Sequence, residues 1–338
     1  MGGTFLARKV GQAAITIVAI IVINFALFRL MPGSPERVLL RGTPNVTAER
    51  LEALRERWGL NDPISPIDFA DGGPTFHADN QLFKYVGATL SGDLGYSFIA
   101  RGQTVVDVLG QRIWPTLLLF GLGELVAIAL GLALGAYSGW RRGGPIDYVG
   151  NGVSLILYST PYFLLGMAFL LIFATTLNWF PTYGMLTAGR VYGSPIDYFL
   201  DLGAHLILPL ATVSLGLVGQ YAIVMRSSII ETLSEDYVNT ARAMGLTEGR
   251  ILRRHALPNA LLPTVTLIAI NLGYVIAGAI TVEVVFNWPG LGTLTVQALT
   301  ARDYPVLQGV FLLLSVAVVL ANLVADLVYG LLDPRVRT

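Results

Sequence analysis

The chain has 338 residues, 54% of them hydrophobic and only 13% charged, with a mean hydropathy of +0.64. A soluble domain carries about 25% charged residues, so this chain has too few to cover a water-facing surface, and an all-α polytopic membrane protein is expected. Zero net charge offers no bulk field for nucleic acid, and the lack of cysteine excludes disulfides, thiolate metal sites and cysteine nucleophiles.

Residues 10–31 form the first apolar run. At about 1.5 Å rise per residue a helix there covers about 33 Å, enough to cross a hydrocarbon core. Arg8 and Lys9 precede it like the n-region of a signal peptide, but the apolar part is too long for an h-region and no small-x-small cleavage site follows. Residues 1–31 therefore predict a short N-terminus inside the cell and an uncleaved first span. Asn24 and Arg29 interrupt it, with Arg29 near the outer end where it can snorkel.

Residues 32–113 are the longest water-soluble stretch and predict a small external subdomain. Thr47 caps a short helix with Leu51, Leu54 and Trp58 on one face and Gly59 at its end. Gly72, Gly73 and Pro74 break the segment. A second helix is expected over residues 82–90, followed by a turn-rich run over 91–96 and a semi-apolar approach containing Val105, Val108, Leu109 and Ile113.

The remainder, 114–338, predicts five more spans. The second, 114–138, has Pro115 in its first turn, where a missing N–H is harmless, and Gly131 and Gly135 as a small-xxx-small surface. A basic turn over 140–145 leads to residues 148–177, which contain the third span and a kink at Pro161. A polar loop, 178–204, precedes the fourth span at 205–225. A polar stretch occupies 226–258, then come a fifth span at 259–285, a loop at 287–303 and a sixth span at 304–332. Six spans place both termini on one side. Arg8, Lys9, Arg141, Arg142, Arg226, Arg242, Arg250, Arg253, Arg254, Arg335 and Arg337 then lie inside, against Arg190 and Arg302 in the short outer loops, so the 226–258 stretch is cytoplasmic.

That stretch predicts a helical hairpin. Ser234 is the expected N-cap, Glu235 and Asp236 lie in the first turn where carboxylates suit the helix dipole, and Tyr237, Ala241 and Met244 share a face. Gly245 closes the helix in the left-handed conformation. Thr247 caps a second helix that starts at Glu248 and carries Arg253, Arg254 and His255 in its last turn before Pro258. A solvated loop with two surface helices fits the same pattern; a DNA-reading helix-turn-helix would lack reach, because both ends are anchored in the membrane.

Asn239-Thr240-Ala241, Gly245 and Pro258 at their spacing resemble the cytoplasmic EAA loop of ABC importer permeases. The runs 237–246 and 255–263, together with 32–35, 59–63, 92–97, 283–292 and 326–335, resemble the dipeptide/oligopeptide/nickel permease family over almost the whole chain. The resemblance implies a type I ABC importer permease fold in a bacterial or archaeal inner membrane. It implies a second homologous permease as heterodimer partner, two cytoplasmic ATPases that bind ATP and Mg, and an external substrate-binding protein, with membrane lipid around the spans. The chain itself is expected to bind no cofactor or nucleic acid and to catalyse nothing. ATPase coupling falls to Glu235, Asp236, Tyr237, Asn239, Thr240, Ala241, Arg242, Ala243, Met244, Gly245, Leu246, His255 and Pro258. Asn239 stands where the general motif has glutamate, so Glu235, Asp236 or Arg242 has to supply the polar contact, and Met244 stands where relatives often carry lysine.

Glu124 and Asn271, polar within apolar spans, are candidates for the translocation pathway, since such groups usually face a bundle interior; a hydrogen bond to a neighbouring helix explains them equally well. By resemblance, Glu283 is a candidate for an outer gate or for the dock of the binding protein, and Phe286 for the pathway or gate. His77, His205 and His255 fall in three different places, which makes no metal site. The chain has no G-x-x-x-x-G-K-[ST] loop and no H-E-x-x-H pair. An intramembrane enzyme, or a proton-coupled transporter relaying through Glu124, fits less well than a permease importing dipeptides or oligopeptides, with nickel or another small solute as the alternative cargo.

Overall fold

A computed structural model of the chain describes residues 3–30, 61–68, 75–100, 102–275 and 280–332. The short helix expected to follow Thr47 lies outside them. Helix α1 runs Gly3–Leu30, strands β1 (Ile67–Asp68) and β2 (Thr75–Phe76) pair antiparallel, and α2 is Gln81–Leu90. Then come α3 (Val105–Trp140), α4 (Pro145–Ser159), α5 (Tyr162–Phe169, continued by a π-helical stretch Leu170–Thr176) and α6 (Pro195–Leu233). Helices α7 (Asp236–Ala243) and α8 (Glu248–Ile251) lead through a π-helical turn, Leu252–Ala256, into α9 (Leu257–Val275). Helices α10 (Ile280–Val285), α11 (Leu291–Ala301) and α12 (Tyr304–Leu332) complete the order.

Among the described residues four helices are long and apolar enough to cross a membrane: Ala7–Arg29 of α1, α3, α6 and Tyr304–Val324 of α12. A fifth is reached if α4 and α5 count as one span bent by 101°. The single kinked span expected over 148–177 is thus two helices. A residue before proline is pushed out of the helical region, and Thr160 takes φ −86°, ψ 122° ahead of Pro161, which breaks the helix instead of bending it. The fifth expected span appears as α9 and α10, with residues 276–279 outside the described ones.

Two helices start earlier than hydropathy places them. Thr104 accepts the Asp107 N–H (3.1 Å) while Asp107 accepts from the Thr104 N–H (3.3 Å) and hydroxyl (2.6 Å), a reciprocal cap that opens α3 at Val105. Pro115 is therefore interior to α3, not in its first turn. Ser194 accepts the Asp197 N–H (3.2 Å), with Pro195 at the first helical position, so α6 begins inside the expected 178–204 loop.

The chain divides into two compact units, one centred on Ile113–Thr293 and the other on Ala7–Arg112 with Leu294–Val319. In the second unit, the described residues up to Arg112 of the stretch expected as an external subdomain cluster with α1. Buried Asn24 of α1 donates to the Tyr85 hydroxyl of α2 (3.1 Å) and to the Gln308 carbonyl of α12 (3.0 Å). Fully buried Asp303 accepts from the Ser97 hydroxyl (2.6 Å) and from the N–H groups of Phe98 (2.9 Å), Ile99 (3.0 Å) and Val306 (3.3 Å), pinning the residues just after the turn-rich run to the start of α12. On α2, Lys84 pairs with Asp62 (2.7 Å) and Asp79 (2.9 Å), hydrogen bonds that hold its pKa above the usual lysine value.

In the first unit α4 and α9 pack most extensively on α6. Helix α3 meets α6 through Gly131, Gly135 and Gly139, where a methyl group would run into Tyr221, Ala222, Met225, Ile229 or the Arg226 carbonyl. Backbones approach this closely only where side chains are absent. Gly135→Ala is expected to destabilise the protein by about 1–3 kcal/mol, the usual penalty for overpacking. Gly152→Ala, where nothing lies within 4 Å, should leave the thermal unfolding midpoint in detergent unchanged or slightly raised.

Candidate coupling hairpin and intramembrane polar network

The α6–α7 junction differs from expectation in one respect. Ser234 closes α6, its hydroxyl donating to the Glu231 carbonyl (2.6 Å), and Glu235 takes the N-cap position of α7 with no side-chain cap bond. The serine hydroxyl faces back along the helix it ends and cannot serve the next one. The turn after α7 is as the glycine predicts. Gly245 sits at φ +79°, its N–H reaches the Arg242 carbonyl (2.9 Å), and the Leu246 N–H reaches the Ala241 carbonyl (3.2 Å). These paired bonds form a Schellman closure, which satisfies carbonyls that a helix end leaves open. Thr247 is the N-cap of α8 by backbone, and its carbonyl accepts from Arg250 (2.9 Å) and Ile251 (3.0 Å). The second helix does not stop before Pro258; it continues through the π-helical turn holding His255 into α9, whose first turn contains Pro258.

The hairpin has its own small core. Val238, Ala241 and Ile251 are buried, with Leu233 and Leu246 packed against them. The expected face of Tyr237, Ala241 and Met244 is split, because Ala241 points inward while Tyr237 (41% exposed) and Met244 (69%) point out. Glu235, Asp236, Asn239, Thr240, Arg242, Ala243, Gly245 and Pro258 are also exposed, and Leu246 and His255 are half-buried. Arg242 links both helices, donating to Asn239 Oδ1 (3.2 Å) and Glu248 Oε1 (2.9 Å). An exposed pair of this kind adds little stability; its effect is to orient Asn239 beside the turn. The Tyr237 hydroxyl accepts from Asn259 Nδ2 (2.9 Å), which also donates to the His255 carbonyl (2.9 Å), tying α7 to the base of α9.

Glu124 and Asn271 meet through a residue the sequence did not single out. The Tyr221 hydroxyl of α6 donates to Glu124 Oε1 of α3 and accepts from Asn271 Nδ2 of α9 (2.9 Å). Glu124 and Tyr221 are both buried, so the network joins three helices at a depth where an unpaired polar group is costly. No local spacing reveals it, because the partners lie far apart in the chain.

Glu283 is fully buried. Oε1 accepts from the Thr116 hydroxyl (2.7 Å), and Oε2 accepts from the N–H groups of Gly292 (2.7 Å) and Thr293 (3.1 Å) at the start of α11, where free donors and the helix dipole favour a carboxylate. Gly290 lies so close that a methyl group there would overlap Glu283 and Thr116. Phe286 is buried in an apolar cluster with Leu119, Phe120, Leu208, Val213, Val282 and Trp288. Neither of these expected gate residues is on a surface here.

Two further buried carboxylates were not anticipated. Asp201 accepts from the Thr187 N–H (2.7 Å) and hydroxyl (2.7 Å), Arg190 (3.0 Å) and the Tyr192 hydroxyl (2.8 Å), fastening the preceding loop to α6. Asp147, in the first turn of α4, pairs with Arg226 of α6 through two bonds, Nε to Oδ1 (2.5 Å) and Nη2 to Oδ2 (2.9 Å), and also accepts the Gly143 N–H (2.9 Å). Among the described residues no group of three or more metal-ligating side chains comes together.

The profile of the binding-protein-dependent transport system inner membrane component family matches residues 131–338, and that of its N-terminal region matches residues 3–120. The dipeptide transport system permease protein DppB of Escherichia coli K12 is 34% identical over 353 residues, 98% of each chain. The di/tripeptide transport system permease protein DppB of Pseudomonas aeruginosa is 34% identical, covering 99% of this chain and 98% of its own. The glutathione transport system permease protein GsiC of Salmonella choleraesuis is 35% identical over 95% of both. Among solved structures, an inward-facing MetNI methionine ABC transporter superposes with a TM-score of 0.54 at 19% identity, covering 67% of this chain and 96% of that one, a likeness of fold. The chain belongs to the family of binding-protein-dependent transport system inner membrane components, the permease subunits of ABC importers.

Proposed function

We propose that this chain is one half of the membrane pathway of an ATP-driven peptide importer. It pairs with a second homologous permease, receives its cargo from an external binding protein, and is driven by two separate ATPases that hold ATP and Mg. Peptide cargo is favoured over nickel because the relatives that match along nearly their whole length are named for dipeptides, di/tripeptides and glutathione. In this reading the chain crosses the inner membrane six times with both termini in the cytoplasm. The observation that carries the coupling role is the hairpin α7–α8. It has a core and a backbone-locked turn of its own, is continuous with α6 on one side and α9 on the other, and keeps Tyr237, Asn239, Thr240, Ala243 and Met244 exposed. A rigid hairpin of this kind fits a groove on an ATPase and passes a displacement into two membrane helices at once.

Gly245→Val places a β-branched residue at φ +79°, which resists the left-handed region by about 1–2 kcal/mol. The variant should still insert and pair with its partner permease, yet lose most ATP-driven uptake in proteoliposomes; full uptake would refute the coupling role. Glu124→Gln keeps a hydrogen bond to Tyr221 and should preserve the fold while slowing transport; an unchanged rate would remove Glu124 from the pathway. Because the chain has no cysteine, topology can be read by labelling. Thr240→Cys and Phe76→Cys, both at exposed positions, should react with an impermeant maleimide from opposite sides of the membrane, and labelling from one side would overturn the orientation.

A further inference from the structure

Arg226 is gripped from two directions. Its guanidinium forms the two-bond pair with Asp147, whose side chain is 4% exposed against 25% for that of Arg226. Its backbone carbonyl lies against Gly139 of α3, where an added methyl group would sit 2.8 Å from it. Asp147 in turn holds the N–H of Gly143, which takes φ +79° in the turn between α3 and α4. One residue of α6 thus fixes the end of α3, the turn and the start of α4. From Arg226 the helix runs without a break to Leu233, where the hairpin begins, roughly 10 Å along the axis at about 1.5 Å per residue.

We propose that the Arg226–Asp147 pair is a mechanical clamp that makes the α3–α4 turn move with the coupling hairpin as one body. The inference rests on the proposed coupling role of the hairpin. A guanidinium that makes two parallel bonds to one carboxylate fixes direction as well as distance, which a lysine ammonium does not. The carboxylate has little access to water, so its alternatives to Arg226 are few and the pair has a single well-defined arrangement. Asp147 and Arg226 are positioning residues here.

The clamp can be tested in the whole reconstituted transporter, with spin labels at Gly249→Cys in the hairpin, where nothing lies within 4 Å of an added methyl group, and Ile146→Cys beside the turn, both exposed. In the otherwise native chain the distance between labels should stay narrow and unchanged between nucleotide-free and ATP-bound states. In Arg226→Lys, which keeps the charge and so the fold, the distribution should broaden and shift with nucleotide. The charge-exchanged pair Asp147→Arg with Arg226→Asp should narrow it again. A narrow, nucleotide-independent distance in Arg226→Lys overturns the clamp, as does a broad one in the native chain. As the functional readout, uptake of a labelled mixture of di- and tripeptides per ATP hydrolysed should fall roughly ten-fold in Arg226→Lys, within the range for a residue that transmits coupling, with ATP hydrolysis retained. Equal loss of both activities marks a merely structural pair and overturns the clamp. Gly245→Val in parallel separates the two ideas. Intact uptake in that variant defeats the hairpin reading, whereas uncoupling there beside an intact ratio in Arg226→Lys defeats the clamp alone.

Discussion

Helix α6 is the constraint on which the rest of the larger unit depends. It runs for 39 residues without a break, and the network to Glu124, the pair with Asp147 and the fastening at Asp201 all take one partner from it. The glycines of α3 bring that helix into backbone contact with α6, and Gly219 of α6 does the same against α4, where a methyl group would meet Ser154 and Tyr158. In lipid, apolar side chains gain little by leaving one apolar surface for another, so close packing and hydrogen bonds do more of the work of holding helices together. Small residues and buried polar pairs along one rod supply both.

The buried polar groups share a design. Among the described residues the four buried carboxylates of the unit each have a matched donor set: a phenol for Glu124, a guanidinium and an N–H for Asp147, a hydroxyl and a helix start for Glu283, and the Thr187–Tyr192 loop for Asp201. An ionisable group without such partners at this depth would be strongly disfavoured. For Glu124, Asp147 and Glu283 at least one donor comes from a different helix, so the same contacts that satisfy these groups also fix which helices are neighbours, whereas Asp201 draws its donors from the loop before α6.

Much of this was readable from the amino acids, and the reasons for the failures are specific. Apolar length located four of the six expected spans among the described residues, five if α4 and α5 count as one, because a helix must cover the hydrocarbon thickness. Helix ends follow from caps, so the starts at Val105 and Pro195 lay in Thr104-x-x-Asp107 and Ser194-Pro195-x-Asp197, short signals that hydropathy averages away. Thr160 shows the same limit from the other side, since a proline can bend or break a helix depending on what surrounds it. In the hairpin the turn at Gly245 was legible because only glycine occupies φ > 0 easily, whereas the inward face was not, because Ile251 and Leu246 decide it after the chain has folded back. Resemblance marks the expected coupling positions one by one, whereas nothing in local spacing joins Tyr221 to Glu124 or Arg226 to Asp147.

The Schellman closure of the hairpin has a consequence for how such a surface can change. Its shape is written in backbone hydrogen bonds and in Val238, Ala241, Leu246 and Ile251, while Asn239, Ala243 and Met244 stand outside that set. Geometry and vocabulary are therefore separate variables. Under the proposed coupling role, the residues that a partner reads can be rewritten, with an amide standing for an acid at 239, without altering the angle at which the hairpin is presented.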